Sequence, residues 1–288
     1  MNPQKIAIVT DSCADLSPSL IKNDPIFVLP LKIVYHDRVY SDGVDIWARD
    51  VYKRFSQEIP KTSLPDGETI LKLFDQIHEM GYQRVIAVNF SSGLSGTHQL
   101  VRLLAEEQEN LEVVAFDTRT ACLGTGAIAL RLARYIEQGR AWEEILSLVP
   151  RLIDNTHVFF GVDTLEYLQK GGRIGKITSI TGTMLQIKPI ITFAPTGELT
   201  NIAKVRGRRQ SMAKVVELAA SHYQSEKRCV LLCAHGDAPE DGKLVKKMLM
   251  QAVPKHECCY EGIIDATLGV HVGPNLIGAG IQILDDDM

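Results

Sequence analysis

The sequence lacks an excess of positive charge and lacks any long apolar run. Its 288 residues include 31 lysines and arginines against 35 aspartates and glutamates, which gives a net charge of −4 at pH 7. Nucleic-acid-binding proteins are more often basic, so we expect no nucleic-acid partner. The first residues, MNPQKIAIVTDS, do not pair a basic segment with an apolar one, and no apolar run is long enough to span a bilayer. We therefore expect a cytoplasmic protein without stable membrane insertion.

Metal and nucleotide motifs are also missing. The six cysteines do not form the paired C-x-x-C pattern of a zinc site, and free buried thiols are the expectation in a chain of this kind. The segment GGRIGK (171–176) approaches a nucleotide phosphate loop, but three residues separate its outer glycines where that motif has four. We therefore expect no metal and no cofactor in this chain. Arg173 is then either a surface arginine in a turn or an arginine presented to an anionic ligand.

The first half of the chain alternates apolar strands with amphipathic helices. Strands are predicted at 5–10, 26–35, 84–90, 112–118 and 156–162. Helices are predicted at 47–58, 66–80, 97–109, 121–138 and 141–154. Continuous apolar strands between such helices are typical of a parallel sheet covered on both faces. We therefore predict an α/β/α domain over residues 1–162.

The second half shows a different pattern. The segment KPIITFAPTGELTNIAKVRG contains a probable hairpin that turns at Pro195, Thr196 and Gly197. Two further strands, RCVLLCAHG (228–236) and YEGIIDA (260–266), flank a helix predicted at 239–252. These features predict a smaller α/β domain with a mixed sheet over residues 163–288.

A hydroxyl-rich turn, SSGLSGT (91–97), lies between a predicted strand and a predicted helix. One interpretation is a helix cap, which needs only one hydroxyl. A second is the G-x-S-x-G elbow of a serine hydrolase with Ser95 as nucleophile, although Thr97 stands where glycine is required. A third is an anion site, in which helix N–H groups and neutral hydroxyls hold a carboxylate or phosphate. The pattern favours the third interpretation and does not identify the anion.

Five segments, in order along the chain, resemble motifs of the DegV family, the fatty-acid-binding proteins that serve as acyl-carrier subunits of bacterial fatty acid kinase. They are IVTDSCADLS (8–17), TSLP (62–65), SSGLSGT (91–97), GGRIG (171–175) and HVGP (271–274). The chain departs from the family at Asn275, where glycine usually follows the proline. The resemblance implies a bilobal α/β protein with a long-chain fatty acid buried between the two domains.

The resemblance also implies roles for individual residues. Thr62 and Ser95 would hold the fatty acid carboxylate, and Arg173 and His271 would act at the phosphoryl-transfer site. Supporting positions would be Asp11, Ser12, Ser92, Gly96 and Thr97. A separate ATP-binding kinase subunit would supply the phosphate, so this chain would carry the acyl-phosphate without completing the chemistry alone.

Two sets of basic side chains leave questions to the structure. Histidine is able to be cationic near pH 7, and we expect His271 to bind a phosphoryl oxygen in that form. The arginines at 206, 208 and 209 form either a solvated connection between a strand and a helix or a docking patch for an acidic partner.

Overall fold

The computed structural model of the chain describes residues 2–177 and 187–285. The strands are β1 Ile6–Asp11, β2 Ile26–Leu29, β3 Lys32–Val34, β4 Val39–Ser41, β5 Lys61–Ser63, β6 Arg84–Asn89, β7 Glu112–Asp117, β8 Thr156–Gly161, β9 Ile187–Phe193, β10 Leu199–Arg206, β11 Arg228–His235, β12 Cys259–Ile263 and β13 Ile277–Leu284. The helices are α1 Ala48–Arg54, α2 Gly67–Glu79, α3 Thr97–Glu106, α4 Leu123–Glu137, α5 Trp142–Asp154, α6 Glu166–Lys170, α7 Arg208–Ala220, α8 Pro239–Ala252 and α9 Ala266–Val272.

A parallel sheet organises the first half, as predicted. Its strand order is β2-β1-β6-β7, and every neighbouring pair is parallel. Successive residues of β1 serve opposite faces: Ala7 and Val9 pack with α2 and α3, whereas Ile6 and Ile8 pack with α4 and α5. Both faces of the sheet are therefore covered, and the α/β/α arrangement is confirmed.

A mixed sheet organises the second half. Its strand order is β10-β9-β8-β13-β11-β12, with α7 and α8 packed against one face. The assignment of residues 156–162 to the parallel sheet is wrong, because β8 pairs antiparallel with β13 and β9. The residues of a short apolar strand do not indicate which strand it pairs with, so the sequence pattern could not assign β8 to its sheet. The chain passes from the parallel sheet to the mixed sheet between β7 and β8, which is before residue 162. The domain boundary at residue 162 itself stays a prediction.

The single strand predicted over 26–35 is also wrong. It is divided into β2, which joins the parallel sheet, and β3, which pairs antiparallel with β4 and β5 in a small sheet of three strands. Pro30 lies between the two strands, and proline cannot donate a ladder hydrogen bond. The small sheet matters for the site because it places Thr62 opposite Ile33.

The central strand of the mixed sheet, β13, was not among the predicted strands. Two of its eight residues, Gly278 and Gly280, are glycines, which lower strand propensity. The predicted hairpin is confirmed: β9 and β10 are antiparallel, and the amide of Gly197 donates to the carbonyl of Ala194 in the turn. Throughout the two described ranges, no helix combines the length and apolar character that crossing a bilayer demands.

The hairpin tip packs against the hydroxyl-rich turn and so joins the two halves. The Ser91 hydroxyl donates to the Gly197 carbonyl at 2.7 Å. A Cβ placed on Gly93 would lie 2.5 Å from the Gly197 carbonyl carbon, which is closer than real Cβ atoms approach. Glycine is required at position 93 because two backbones meet there without room for a side chain.

We predict that Gly93→Ala lowers the free energy of unfolding by about 1–3 kcal/mol, because the added methyl group forces the hairpin away from the turn. Chemical denaturation of the two proteins measures the difference. Gly67→Ala is the matched control, since a Cβ there meets only Leu104 Cδ1 at an ordinary 3.6 Å. Equal stability of Gly93→Ala and the unaltered protein would contradict the close contact.

Candidate functional site

A cavity lies between the two sheets, at the carboxyl ends of β1 and β6. The chain leaves β1 toward β2 on one side and later returns as β6 on the other, and ligands of open α/β sheets bind at such switch points. The empty volume is about 1130 Å³, including the open mouth. The apolar walls include Leu31, Phe90, Leu94 and Leu123 from the first half and Val158, Phe160, Leu232 and Ala234 from the mixed sheet. A cavity with this lining suits a largely apolar small molecule.

Four residues singled out from the sequence line this cavity together: Thr62, Ser95, Arg173 and His271. They come from β5, from the turn before α3, from the segment after α6 and from α9, so only the folded chain brings them together. Contacts link them into one polar cluster, here called the polar end of the cavity: Thr62 contacts His271, and Arg173 contacts the carbonyl of Leu94, the neighbour of Ser95. Most of the remaining lining is apolar. What each does toward a ligand stays a prediction.

His271 is a neutral residue at physiological pH, which corrects the expectation of a cation. Its side chain is 9% exposed, and its Nε2 lies 2.8 Å from Thr62 Oγ1. Burial, with a smaller contribution from the Arg173 charge, lowers the pKa of His271 to about 4. A Cβ on Gly171 would lie 2.1 Å from His271 Nδ1, so the ring occupies space that only glycine leaves open. The imidazole is therefore held in place as a neutral hydrogen-bonding group.

The hydroxyls of the turn at 91–97 face in different directions. Ser95 Oγ lies 2.9 Å from Thr97 Oγ1 and accepts from the Thr97 amide at 3.2 Å, which is a local serine turn just before α3, whose N-cap residue is Gly96. The Ser92 amide instead donates to Asp117 at 3.0 Å, away from the cavity lining. Gly96 lines the cavity beside Ser95. Within residues 2–177 and 187–285, neither a histidine nor a carboxylate hydrogen-bonds to Ser95, so the turn lacks the base of a serine hydrolase.

Arg173 presents an uncompensated positive charge at the cavity. Its Nε donates to the Leu94 carbonyl at 3.2 Å, and its Nη1 donates to the Gly171 carbonyl at 2.9 Å. Among the residues that the structure describes, no carboxylate forms an ion pair with it. The two carbonyls fix the guanidinium between the hydroxyl-rich turn and the glycine-rich segment without neutralising it. Such a group is suited to bind an anion.

Asp11 and Ser12 support the wall of the cavity and do not line it. Asp11 accepts hydrogen bonds from the Phe90 amide at 3.0 Å and from Asn89 Nδ2 at 3.1 Å. Burial raises the pKa of Asp11 to about 7. The Ser12 hydroxyl accepts from the Leu31 amide at 3.2 Å. Because Phe90 and Leu31 line the cavity, these bonds hold its apolar wall in position.

A buried group of acids, not recognised from the sequence, anchors α9. Asp42 accepts from the amides of Ala266 and Thr267 at 3.1 and 3.0 Å and from the Thr267 hydroxyl at 2.6 Å. Asp15 accepts from the amide of Asp265 at 2.9 Å. Burial raises the pKa of Asp265 well above its usual range, and the charges of Asp42 and Asp15 add to the effect. Asp42 and Asp265 lie outside the motifs recognised in the sequence, and Asp15, although within IVTDSCADLS (8–17), has these partners far away along the chain.

The loop after α9 contains Asn275, at the position where the sequence departs from the family's glycine. Asn275 has a φ of 64°, a left-handed conformation that asparagine tolerates better than most residues. Its amide donates to the Gly236 carbonyl at 2.6 Å, and Arg208 donates to its carbonyl. Arg208 also pairs with Asp241 at 2.7 Å. Of the basic cluster at 206–209, this arginine therefore has a structural role.

The low pKa of His271 predicts a pH effect on stability. Above pH 6.5 the ring is neutral in both the folded and the unfolded state, so its titration does not change the free energy of unfolding. As the pH falls from 6.5 to about 4, the unfolded chain takes up a proton that the folded protein excludes, so stability is lost. At 1.36 kcal/mol per pH unit the loss amounts to about 3 kcal/mol. His271→Asn should remove that part of the pH dependence, as measured by urea unfolding between pH 7 and pH 4.

The control for this experiment is His36→Asn, since the His36 side chain is 99% exposed. That exchange should leave the pH profile unchanged. A His271→Asn profile as steep as that of the unaltered protein would show that the ring is not excluded from protonation in the folded state.

Comparison with known proteins agrees with this architecture. The model of the DegV family matches residues 5–283. A DegV domain-containing protein of Clostridium acetobutylicum is 38% identical over 275 residues, which cover 96% of this chain and 98% of that protein. The structure of a fatty-acid-binding DegV family protein from Thermus thermophilus superposes with a TM-score of 0.91 at 26% identity, covering 99% of this chain and 100% of the other. DegV of Bacillus subtilis, a fatty acid binding protein, gives 0.88 at 26% identity, with the same coverage. The chain belongs to the DegV family.

Proposed function

We propose that this protein binds a long-chain fatty acid in the cavity between the parallel sheet and the mixed sheet, with the carboxylate at Thr62 and Ser95. The observation that carries the proposal is a largely apolar cavity with one polar end. Structural relatives from Thermus thermophilus and Bacillus subtilis are fatty-acid-binding proteins, which supports the same ligand class here. In this proposal the ligand lies between the domains at 1–162 and 163–288.

The acyl chain supplies most of the binding free energy in this proposal. About fifteen buried methylenes contribute up to ~12 kcal/mol at ~0.8 kcal/mol each. Association opposes this with roughly 4–15 kcal/mol. The neutral hydroxyls of Thr62 and Ser95 then need only orient the carboxylate. A strong ion pair in the ground state would make the carboxylate a poorer nucleophile, because only interactions that strengthen in the transition state speed a reaction.

We further propose that a separate ATP-binding kinase subunit phosphorylates the bound carboxylate, and that this chain carries the acyl-phosphate. Arg173 supports this step, because its uncompensated charge at the cavity suits incoming phosphoryl oxygens. His271 would contribute as a neutral hydrogen-bonding group next to Thr62, not as a cation. A partner that uses ATP also implies a cytoplasmic location. Asp11, Ser12, Ser92, Gly96 and Thr97 would shape the site around these groups.

The first test is the lipid content of the protein purified from a bacterial host. We expect roughly one long-chain fatty acid per chain, released on denaturation and identified by gas chromatography and mass spectrometry. After delipidation, added fatty acid should raise the melting temperature, since a ligand at a hundred times its Kd stabilises by about 2.7 kcal/mol. Absence of both released lipid and thermal stabilisation would refute fatty acid binding.

The second test separates binding from transfer. Ser95→Ala removes a hydrogen bond to a charged group worth about 1.5–3 kcal/mol, so affinity for palmitate should fall about ten- to a hundredfold. Arg173→Ala should retain the fatty acid but lose about a hundredfold or more in acyl-phosphate formation with a kinase subunit and ATP.

The control is Arg102→Ala, which removes an arginine paired with Glu106 on the outer surface of α3. It should leave both binding and transfer unchanged. Full transfer by Arg173→Ala would refute its role, and loss of lipid from this variant would instead assign Arg173 to the carboxylate site.

A further inference from the structure

The floor of the cavity is formed by glycines of β13. Ile277, Ala279 and Ile281 pack among the residues of α7 and α8 on the far side of the sheet. Because side chains alternate along a strand, Gly278 and Gly280 face the cavity, and both line it. On the cavity side, β13 therefore exposes backbone at these two positions, whereas the neighbouring strands β8 and β11 place side chains there.

The strands on either side of β13 form the walls of a trough. Gly278 lies between Phe160 of β8 and Ala234 of β11 in the strand register. Two residues further along the strand, Gly280 lies between Val158 and Leu232. These four neighbours also line the cavity. The trough therefore follows β13 away from the loop that succeeds His271, over a distance of about 7 Å between the two glycines.

The two glycines differ in the space above them. A Cβ on Gly278 would have no neighbour closer than 3.7 Å, and the nearest atoms belong to the adjoining strands. A Cβ on Gly280 would lie 2.7 Å from the His157 carbonyl oxygen and 3.3 Å from both Cβ and Cδ1 of Leu232. The trough is thus open over Gly278 and narrower over Gly280, where Leu232 lies close to the backbone.

We propose that Gly278 and Leu232 set the length of acyl chain that the cavity accepts: the chain passes over Gly278, and its terminal methyl ends against Leu232. This inference rests on the proposed function, and it concerns the same cavity. Each additional methylene that is buried, or no longer buried, in the apolar cavity changes the affinity about fourfold. This factor is ~0.8 kcal/mol converted to a ratio of Kd values. Side chains at these positions should therefore change chain-length preference without changing the polar end.

The experiment measures Kd for saturated fatty acids from lauric to arachidic acid with delipidated protein. Gly278→Val fills the trough, so the preferred acid should become shorter and the longest acids should weaken by tenfold or more. Gly278→Ala should shift the preference in the same direction by less. Leu232→Ala opens the trough over Gly280, so acids longer than the normal optimum should gain up to about fourfold for each further methylene.

Two controls identify the cause of any shift. Leu231→Ala makes the same exchange on the same strand, but its side chain packs toward α7 and α8 and so should not alter the preferred length. Thr62→Ala should weaken all acids by a similar factor, because it acts at the carboxylate. If Gly278→Val does not fold, the opposite shift expected of Leu232→Ala still tests the proposal.

The outcomes separate this inference from the function on which it depends. If the unaltered protein binds none of these acids, fatty acid binding itself fails. If it binds them, and neither Gly278→Ala nor Leu232→Ala changes the order of preference, the length-setting role is overturned while fatty acid binding stands. Opposite shifts of preference in the two variants support it.

Discussion

The candidate site depends on the attachment of α9 to the first half of the chain through the carboxylate of Asp42. That carboxylate accepts hydrogen bonds from two amides and one hydroxyl at the start of α9, and from the Ser12 hydroxyl at 3.0 Å. Hydrogen bonds to a charged group contribute about 1.5–3 kcal/mol each, and loss of the buried acceptor would leave its donors unpaired. Because α9 also carries His271, this attachment determines where the histidine meets Thr62. The polar end of the cavity is thus positioned by a second polar cluster, centred on Asp42.

Charge is distributed unevenly around the cavity, and the distribution follows burial. His271 is buried and neutral, and Thr62 and Ser95 are neutral at any ordinary pH. Among the described residues that line the cavity, Arg173 is the one that brings a full charge, from an exposed position. A carboxylate bound as proposed would meet neutral donors at Thr62 and Ser95 and a cation at Arg173. This arrangement avoids burying an ion pair, whose desolvation offsets much of its attraction.

The sequence was most informative where structure is local. Helices α2, α4, α5 and α8 and strands β1, β6 and β7 were predicted within a few residues because apolar periodicity and continuous apolar runs arise within each segment. Partners in a sheet are not local, so β8 was assigned to the wrong sheet. Pro30 separates β2 from β3, although residues 26–35 look like one strand in the sequence. Strand β13 was missed because Gly278 and Gly280 lower its strand propensity.

The site was predictable for a different reason. Resemblance to a family selected four residues, and the fold places all of them at one cavity: Thr62, Ser95, Arg173 and His271. Asp42 and Asp265 lie outside the five motifs, and Asp15, although it lies within the first, was not singled out; their shared cluster became visible only when the chain was folded. The protonation state of His271 could not be predicted from the sequence either, because it depends on burial by residues that are distant in the chain.

The surroundings of the two ring nitrogens of His271, which packs beside Gly171, indicate which of them carries the proton. His271 Nδ1 is buried, and no described residue offers it a hydrogen-bond partner. An unpaired N–H is costlier to bury than an unpaired acceptor, so the proton belongs on Nε2, which then donates to Thr62 Oγ1. A hydroxyl that accepts from the ring keeps its own hydrogen for another acceptor. With the ring as donor, the Thr62 hydroxyl keeps its hydrogen for the carboxylate that is proposed to bind there.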